Sequence, residues 1–562
     1  MKIVIIGGTA GGAGIAARLR RLDEHAEIII VEKNPYISWS GCALPYFTGG
    51  IISERNNLFL ANKEMFDHRF NIKVLDSTKA VGLDRAAKTV SVLAVNQPHA
   101  KVTTISYDKL VIATGAGAIM PGFAQNKDGV YAMRCIEDAD QIKAYVAAHD
   151  VKHAVVVGGG FIGLEACENL KHRGIDVTLV EKAPQVLAPV DPDIAQYLHR
   201  ELDQHGVSLK LGVGIADIAK TESGLTVSLD NGETVETQLV IMALGIVPQT
   251  DFIKDSGLKL NSRGYIEVAD TMQTNDPDIY ALGDVVAVQG VPEDRLGTIA
   301  LAGPASKQSR IAAHNLLGIG LGPQGQLHFK GSLGVSIVRV MGLTAGAVGM
   351  NRRALAGQPD VAEVTVHTPH HVSWFEQAKP VHLKLIFNQK TGLVLGAQAV
   401  GEVSIDKNLE VISALMQMHA TVYDLVDFES AYAPPFSAPR SPVNMAGSTA
   451  ANVVDGLEEM ITVEQFDELR KNDPDLVCID VRAPDELEIC KLPGFTNIPV
   501  DALRAHHKKQ PFDPNKTYVV SCQVGVRGHT AACMLRHFGV KKVYNLSGGY
   551  VSWCTAHYQL KH

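Results

Sequence analysis

The chain has 562 residues, 46% hydrophobic and 20% charged, with 52 Lys and Arg against 60 Asp and Glu for a net charge of −8. At roughly 100–200 residues per domain this predicts three to five domains with sizeable cores, and it excludes intrinsic disorder and collagen-like repeats. The acidic balance argues against a nucleic-acid partner, no apolar stretch is long enough to span a membrane, and the apolar run of MKIVII stops at Gly7, too short for a signal peptide, so a cytoplasmic protein is expected.

Residues 2–6 read as a strand that ends in Gly7-Gly8-Thr9-Ala10-Gly11-Gly12. A helical stretch, GIAARLRRL, follows, and a second strand over 27–31 closes on Glu32. The pattern repeats about 150 residues on. AVVV runs into Gly158-Gly159-Gly160-Phe161-Ile162-Gly163, then LEACENLKHRG, then VTLV and Glu181. Strand, glycine turn, helix, strand, twice over, predicts two doubly wound α/β domains. LVIATGAGA (110–118), VIMALGIVP (240–248) and DIYALGDV (278–285) are further strands running into glycine turns.

From about 326 the texture changes to VSIVRVMGL and VHLKLIF, then a helix near 405–420, which reads as a separate α+β domain ending near Gly447. The polar stretch 448–459 lacks periodicity and reads as a linker. LVCIDV, TYVVSC and KVYNL are the strands of a last α/β domain. The expected division is 1–118 and 246–325 for the first dinucleotide domain, 119–245 for the second, 326–447 for the α+β domain, 448–459 for the linker and 460–562 for the last domain.

In each glycine loop the strand and helix context supplies what the motif needs. Glycine permits the tight turn and lets the backbone approach a pyrophosphate at the helix N-terminus. Glu32 follows Gly12 by 20 residues and Glu181 follows Gly163 by 18, each placed to accept hydrogen bonds from a ribose 2′-OH. A carboxylate there repels a 2′-phosphate, which favours NADH over NADPH at the second site. Thr9 stands where the first loop's middle glycine would be.

The arrangement of IIGGTAGG, ATG at 113–115, GGGFIG and IYALGDV resembles the two-dinucleotide flavin disulfide reductase family over residues 1–447. The resemblance implies FAD at the first site, held by Gly7, Gly12, Glu32 and Asp284, and a nicotinamide cofactor at the second, held by Gly160, Gly163 and Glu181. Gly8, Ala10, Gly11, Lys33, Thr114, Gly115, Gly158, Phe161, Ile162, Gly245, Gly283 and Ala302 are the further candidate cofactor-binding residues at the two sites. It also implies a homodimer built on residues 326–447.

Eight cysteines are too few for a disulfide scaffold, and none forms a C-x-x-C pair, so the default for each is an inert buried thiol. Two contexts override it. Cys42 lies in SWSGCALPY, ten residues beyond Glu32, where the sheet edge would carry a cofactor. Gly41 and Pro45 suggest a turn opening into a helix, whose N-terminus would lower the thiol pKa. The resemblance implies a C-x-x-x-x-C dithiol here in most of the family; Phe47 stands in place of its second cysteine, so Cys42 must cycle through a sulfenic acid, a persulfide or a mixed disulfide with an outside thiol.

This is similar to the single-cysteine branch of the family, which contains coenzyme A-disulfide reductases, NADH oxidases, NADH peroxidases and NADH-dependent persulfide reductases. SWSGCALPY looks most like the coenzyme A-disulfide reductase form. The resemblance implies coenzyme A contacts from Arg18, Arg21, Ser38 and Arg440, and a Tyr432 that approaches the redox cysteine of a partner subunit. Two departures are Gly41, often asparagine in relatives, and Trp374-Phe375 in place of a tyrosine pair.

Cys522 ends TYVVSC and opens a loop to Arg527 before the helical HTAACMLRHFG. A strand, C-x-x-x-x-R and helix make a cradle of N–H groups around sulfur with a guanidinium alongside, which stabilises thiolate and persulfide. With IDVRAPDE, KLPGFTNIPV and NLSGGYVSW it resembles the rhodanese sulfurtransferase domain over 460–562. Cys478, Cys490, Cys533 and Cys554 read as core residues. His370-His371 and His506-His507 lack the spaced partners of a metal site and read as surface residues, and no metal is expected.

The expected protein is an FAD enzyme that uses NADH to reduce a small disulfide or persulfide, namely coenzyme A disulfide, coenzyme A persulfide or polysulfide, through Cys42. The catalytic set is Cys42, Cys522, Tyr432 and Arg527. The alternative is an NADH oxidase or peroxidase cycling Cys42 through a sulfenic acid; a non-enzymatic sulfur sensor is the more remote rival.

Overall fold

The computed structural model describes residues 1–222, 224–289, 296–297, 300–320 and 325–561. The chain forms two compact units, one of residues 1–180 with 213–333 and the other of 181–212 with 334–562.

In the first unit, strands Ile279–Ala281, Lys109–Ile112, Lys2–Ile6, Glu27–Val31 and Lys73–Leu75 form a parallel sheet in that order. Ile3, Val4 and Ile5 of the central strand are fully buried because both faces of the sheet are covered, so the strand reads as a continuous apolar run rather than an alternation. The helix Ala10–Leu22 lays Ile15, Ala16 and Leu19 against the core. Ile6 pairs with Val31 on one side and Ile112 on the other, which brings Gly7, Glu32 and Ala113 together at the carboxyl edge of the sheet. Open parallel sheets bind ligands at that edge. The second sheet repeats the plan: His153–Val157 pairs in parallel with Asp176–Glu181 and Leu239–Met242, and Val130–Ala132 lies beyond the latter.

The second unit holds an antiparallel sheet, ordered Ser336–Val340, Leu343–Gly349, Val394–Gly401, Pro380–Asn388 and Val361–Pro369. It also holds a parallel sheet, ordered Met460–Ile461, Lys542–Leu546, Thr517–Ser521, Val477–Asp480 and Thr496–Asn497. Residues 181–212, expected within the second dinucleotide domain, group with this unit. The Asp191 N–H donates to Gln398 Oε1 at 2.6 Å, and the fully buried Lys384 ion-pairs with Asp193 at 2.9 Å, Asp191 at 3.0 Å and Glu363 at 3.2 Å. Burial alone would lower the Lys384 pKa; the three carboxylates reverse this and hold it above its ordinary value.

The expected linker at 448–459 is a correction. The helix Pro442–Val454, started by the Ser441–Asn444 capping box, runs through most of it. Its buried face is made of small residues, Ala446, Gly447, Ala450 and Ala451 with Val453, which gives too weak an apolar period to register in the sequence. Among the described residues no helix is long and apolar enough to cross a membrane.

Candidate active site

At the first glycine loop, Gly7 turns the chain with φ +103°, and a Cβ there would collide with the Ala113 carbonyl. The same constraint recurs at Gly158, φ +111°, against the Ala243 carbonyl. Both positions require glycine. Glu32 is only 5% exposed; its Oε2 accepts from the Gly8 N–H at 2.7 Å and its Oε1 from the Asn34 N–H at 2.9 Å. Burial raises its pKa against the pull of these bonds. Thr9 makes no side-chain cap and the first turn of Ala10–Leu22 carries no acid, so its first N–H groups face the edge free for an anion. A dinucleotide with its pyrophosphate over Gly8, Ala10 and Gly11 and its ribose against Glu32 fits this arrangement.

The rim of the same edge comes from distant segments. The Thr114 hydroxyl donates to the Gln249 carbonyl at 2.8 Å, Lys33 Nζ donates to Gln249 Oε1 at 2.7 Å, and the Gly283 N–H donates to Gln308 Oε1 at 2.8 Å. Gly115 follows Thr114 in the left-handed region, Gly12 packs on Gly7, and Ala302 opens the helix Ala302–Leu317. Asp284 accepts from Arg134 Nη2 at 2.7 Å, while Arg134 Nε donates to the Ala116 carbonyl at 2.9 Å.

At the second loop, Gly160 caps the helix Phe161–His172, again with no acid in the first turn, and space above Gly160 is open. Phe161 and Ile162 lie half-buried beside it while Gly163 packs on Gly158. Glu181 ends its strand and its Oε1 accepts from the Ala183 N–H at 2.7 Å. Gly245 accepts from the Ile119 N–H at 3.0 Å. The open loop at the helix N-terminus fits the pyrophosphate of a dinucleotide.

Cys42 sits in the 3-10 turn Gly41–Ala43, ahead of the short helix Leu44–Thr48, and is exposed. Ser38 precedes it in the left-handed region, bonded through its N–H to the Gly8 carbonyl at 2.8 Å, so the turn hangs from the first glycine loop. Phe47 is buried. The expected depression of the thiol pKa does not occur. Its crowded surroundings push it up, with Glu165 and Asp284 adding to the rise and Arg134 opposing it; the five-residue helix brings too little dipole to compensate. Glu165 itself is pushed up to about 7 by burial, and the Tyr46 hydroxyl donates to its Oε1 at 3.4 Å. No local sequence pattern marks Arg134 or Glu165 as part of this site. The one available signal was Glu165 lying two residues past the GGGFIG loop.

Arg18 Nε and Nη2 donate to His314 Nε2 at 3.1 and 2.7 Å, and Arg21 is exposed. Partial burial, Arg310 and Arg21 lower the Arg18 pKa, marking a cluster of positive charge. Arg20, between them, is structural: it donates to five backbone carbonyls, from Phe70 to Ala26. In the second unit Tyr432 is 48% exposed and Arg440 is exposed on the loop before Pro442–Val454.

Cys522 is 1% exposed and its Sγ accepts from the Gly525 N–H at 3.1 Å. The Cys522 carbonyl accepts from the Tyr550 N–H at 2.8 Å, which ties the loop to the Gly548-Gly549 turn. Arg527 is clamped by Glu486 at 2.5 and 2.7 Å, with the Cys522 sulfur also in its field. Arg482, buried by Asp480 and stacked on Tyr550 at 4.3 Å, reaches Gln523 Oε1 at 3.4 Å; sequence reading missed it. Cys478 is buried as expected, but Cys490, Cys533 and Cys554 are half-buried at element ends and helix faces. His371 is buried against Phe375 rather than on the surface.

Two dinucleotide-type sheets with a lone thiol at one carboxyl edge, and a sulfur cradle on a further sheet, define an oxidoreductase of thiol chemistry with a sulfurtransferase-type module. Residues 1–309 match the pyridine nucleotide-disulphide oxidoreductase family, 335–441 its dimerisation domain and 462–556 the rhodanese-like domain. The chain belongs to the pyridine nucleotide-disulphide oxidoreductase family. The coenzyme A disulfide reductase of Staphylococcus haemolyticus is 34% identical over 452 residues, 80% of this chain and 100% of that one. The structure of reduced Bacillus anthracis CoADR-RHD is 38% identical with TM-score 0.93, covering 99% of this chain and 98% of that one. A NAD-dependent persulfide reductase from A. fulgidus is 32% identical with TM-score 0.90, covering 98% and 100%.

Proposed function

We propose that this chain is an FAD-dependent NADH:disulfide and persulfide reductase whose rhodanese-like domain carries sulfane sulfur. The observation that carries the reading is a lone exposed thiol, Cys42, hung from the first glycine loop, with Phe47 in place of a second thiol. The relatives named as coenzyme A disulfide and persulfide reductases support the substrate class. The balance is NADH + H⁺ + RSSR giving NAD⁺ and two RSH, or with RSSH giving NAD⁺, RSH and H₂S.

Bound FAD supplies the relay of an electron pair from NADH to sulfur. The chain's residues do the rest. The Cys42 thiolate attacks the substrate S–S bond, forming a mixed disulfide or persulfide and releasing the other sulfur as a thiolate. Glu165, protonated at or below about pH 7, supplies a proton near Cys42. The Arg134–Asp284 pair orders the edge around the thiol. Arg18, Arg21 and Ser38, with Arg440 and Tyr432 from a partner subunit, recognise coenzyme A. The phosphates suit the arginine cluster, and the protein acts as a cytoplasmic homodimer in which its sparse, unpaired cysteines stay reduced. Glu181 selects NADH. At Cys522 the thiolate attacks the outer sulfur of a thiosulfate-like donor; a Cys–S–S bond forms, the donor S–S bond breaks, and sulfite leaves with its electron pair.

The test is mass spectrometry of Cys42 in the purified protein together with NADH turnover on coenzyme A disulfide, coenzyme A persulfide, polysulfide, oxygen and peroxide. A coenzyme A or persulfide adduct and fastest turnover on a sulfur acceptor are expected. The competing reading is an NADH oxidase that cycles Cys42 through a sulfenic acid. Faster turnover with oxygen than with every sulfur acceptor would establish it instead.

A further inference from the structure

Behind the Cys522 loop lies a carboxylate that the sulfur chemistry above does not use. Glu458 precedes the first strand of the rhodanese-like domain, in the short connector after the helix Pro442–Val454, and is 2% exposed. Its Oε1 accepts from Asn545 Nδ2 at 2.6 Å. The same Asn545 Nδ2 donates its other hydrogen to the Gly525 carbonyl at 3.0 Å. Gly525 is the residue whose N–H holds the Cys522 sulfur. The other carboxylate oxygen lies 2.9 Å from His529 Nδ1, an ion pair when the ring is protonated. His529 sits in the first turn of the helix that begins at the loop, and its own N–H donates to the Gly525 carbonyl at 2.9 Å.

The chemistry of these groups is directional. An amide side chain can present either its oxygen or its NH₂ to a given neighbour, whereas an ionised carboxylate only accepts. Glu458 therefore fixes which way Asn545 faces, with both amide hydrogens committed and its buried oxygen, over Gly528, left without a partner among the described residues. Turned over, Asn545 would set an oxygen against the Gly525 carbonyl and Glu458 alike, and the loop would lose the support that aims the Gly525 N–H. An orphaned buried oxygen is a cost, tolerated here because the alternative orientation is worse.

We propose that Glu458 is a positioning residue for the sulfur-carrying loop, acting through Asn545 and His529 to hold the Gly525 N–H on the Cys522 sulfur. This rests on the reading of Cys522 as a sulfur carrier. It makes the connector a working part of the sulfur site rather than a passive tether. The charged and titratable groups facing His529 are Glu458, which raises its pKa, Arg536, which opposes the rise, and the Cys533 thiol at 3.8 Å from Nε2.

The test uses the full cofactor-loaded chain carrying Glu458→Ala, Glu458→Gln or Glu458→Asp. Cys522 persulfide formation from thiosulfate is followed by mass spectrometry, and sulfur transfer to cyanide gives kcat, KM and a pH profile. Glu458→Ala should lower kcat about tenfold, the size of one lost hydrogen bond to a charged group, with KM for thiosulfate little changed. Glu458→Gln, which keeps shape but loses the charge, should move the His529 inflection to lower pH, and Glu458→Asp should restore part of the rate. NADH reduction of a small disulfide at Cys42 should stay at the parent rate in all three, which separates loop geometry from a folding defect. Unchanged kcat and pH profile in both Glu458→Ala and Glu458→Gln would overturn the proposal. Failure of the unaltered protein to take sulfur onto Cys522 would overturn the carrier reading beneath it.

Discussion

Cys42 and Cys522 are both single reactive-type thiols at the carboxyl edge of a parallel sheet, yet their surroundings differ in kind. Cys42 is exposed on a 3-10 turn, and the carboxylates of Glu165 and Asp284 oppose its ionisation. Cys522 is closed in, with an N–H pointed at its sulfur and a clamped guanidinium nearby. An open thiol with a raised pKa suits exchange with bulky partners and return to the protonated state after each turnover. An enclosed one, with an N–H on its sulfur and a guanidinium nearby, suits storage of a charged terminal sulfur. The contrast supports the proposed division, electrons at Cys42 and sulfane sulfur at Cys522.

The largest effect separates those roles outright. Cys42→Ser should abolish NADH turnover with every disulfide or persulfide while FAD stays bound and reducible. Cys522→Ser should abolish transfer from thiosulfate and spare small diffusible disulfides. Steady-state assays of both variants on both substrate classes check this, and equal damage on every acceptor would erase the distinction between the two thiols.

A smaller effect sharpens the Cys522 half. Arg527 is held bidentately by Glu486, whose carboxyl is pulled down to about 2 by that contact. Removing the cation with Arg527→Ala should slow persulfide formation about tenfold to a hundredfold, the range for a hydrogen bond to a charged group. Arg527→Lys should recover only part, because an ammonium cannot reproduce the planar fork. Single-turnover mass spectrometry reads both. On the Cys42 side, Glu181→Ala should narrow the NADH over NADPH preference about fivefold, as one half-buried charge interaction is lost. A parent enzyme that already prefers NADPH would remove Glu181 from that role.

The extent to which this contrast was legible in the sequence follows from how local each feature is. The glycine loops, Glu32, Glu181, Cys42 and the C-x-x-x-x-R loop are each contained in one short segment, so local spacing and the family resemblance together mark them as candidates. Arg134 reaches Asp284 across 150 residues, and Glu165 meets Tyr46 across 119; no local pattern carries such contacts. The same holds for Glu458, separated from Asn545 by 87 residues. The sequence misleads about the Cys42 thiol for that reason: it shows the helix start but not the carboxylates facing it. The helix Pro442–Val454 was missed because its buried face is alanine and glycine, which carry little hydrophobic signal.

The smallest effect tests the electrostatics at Cys42 directly. Glu165 is raised to about 7, so below that pH it is neutral and above it its charge discourages Cys42 from ionising. Glu165→Gln should leave the rate of Cys42 alkylation by iodoacetamide nearly unchanged in mild acid. At about pH 8 it should raise the rate about threefold, since the thiol then loses a neighbouring anion. The difference should fade again once the pH exceeds the thiol pKa and both proteins are fully ionised. Stability responds at lower pH. A carboxyl whose folded pKa lies above its unfolded value contributes stability at low pH that is lost as the pH rises from 4.5 to about 7, so the variant should gain in Tm relative to the parent across that interval and keep the gain above it. Alkylation rates that coincide at every pH would show that Glu165 does not sense Cys42, and the proton-supplying role assigned to it would fall with that result.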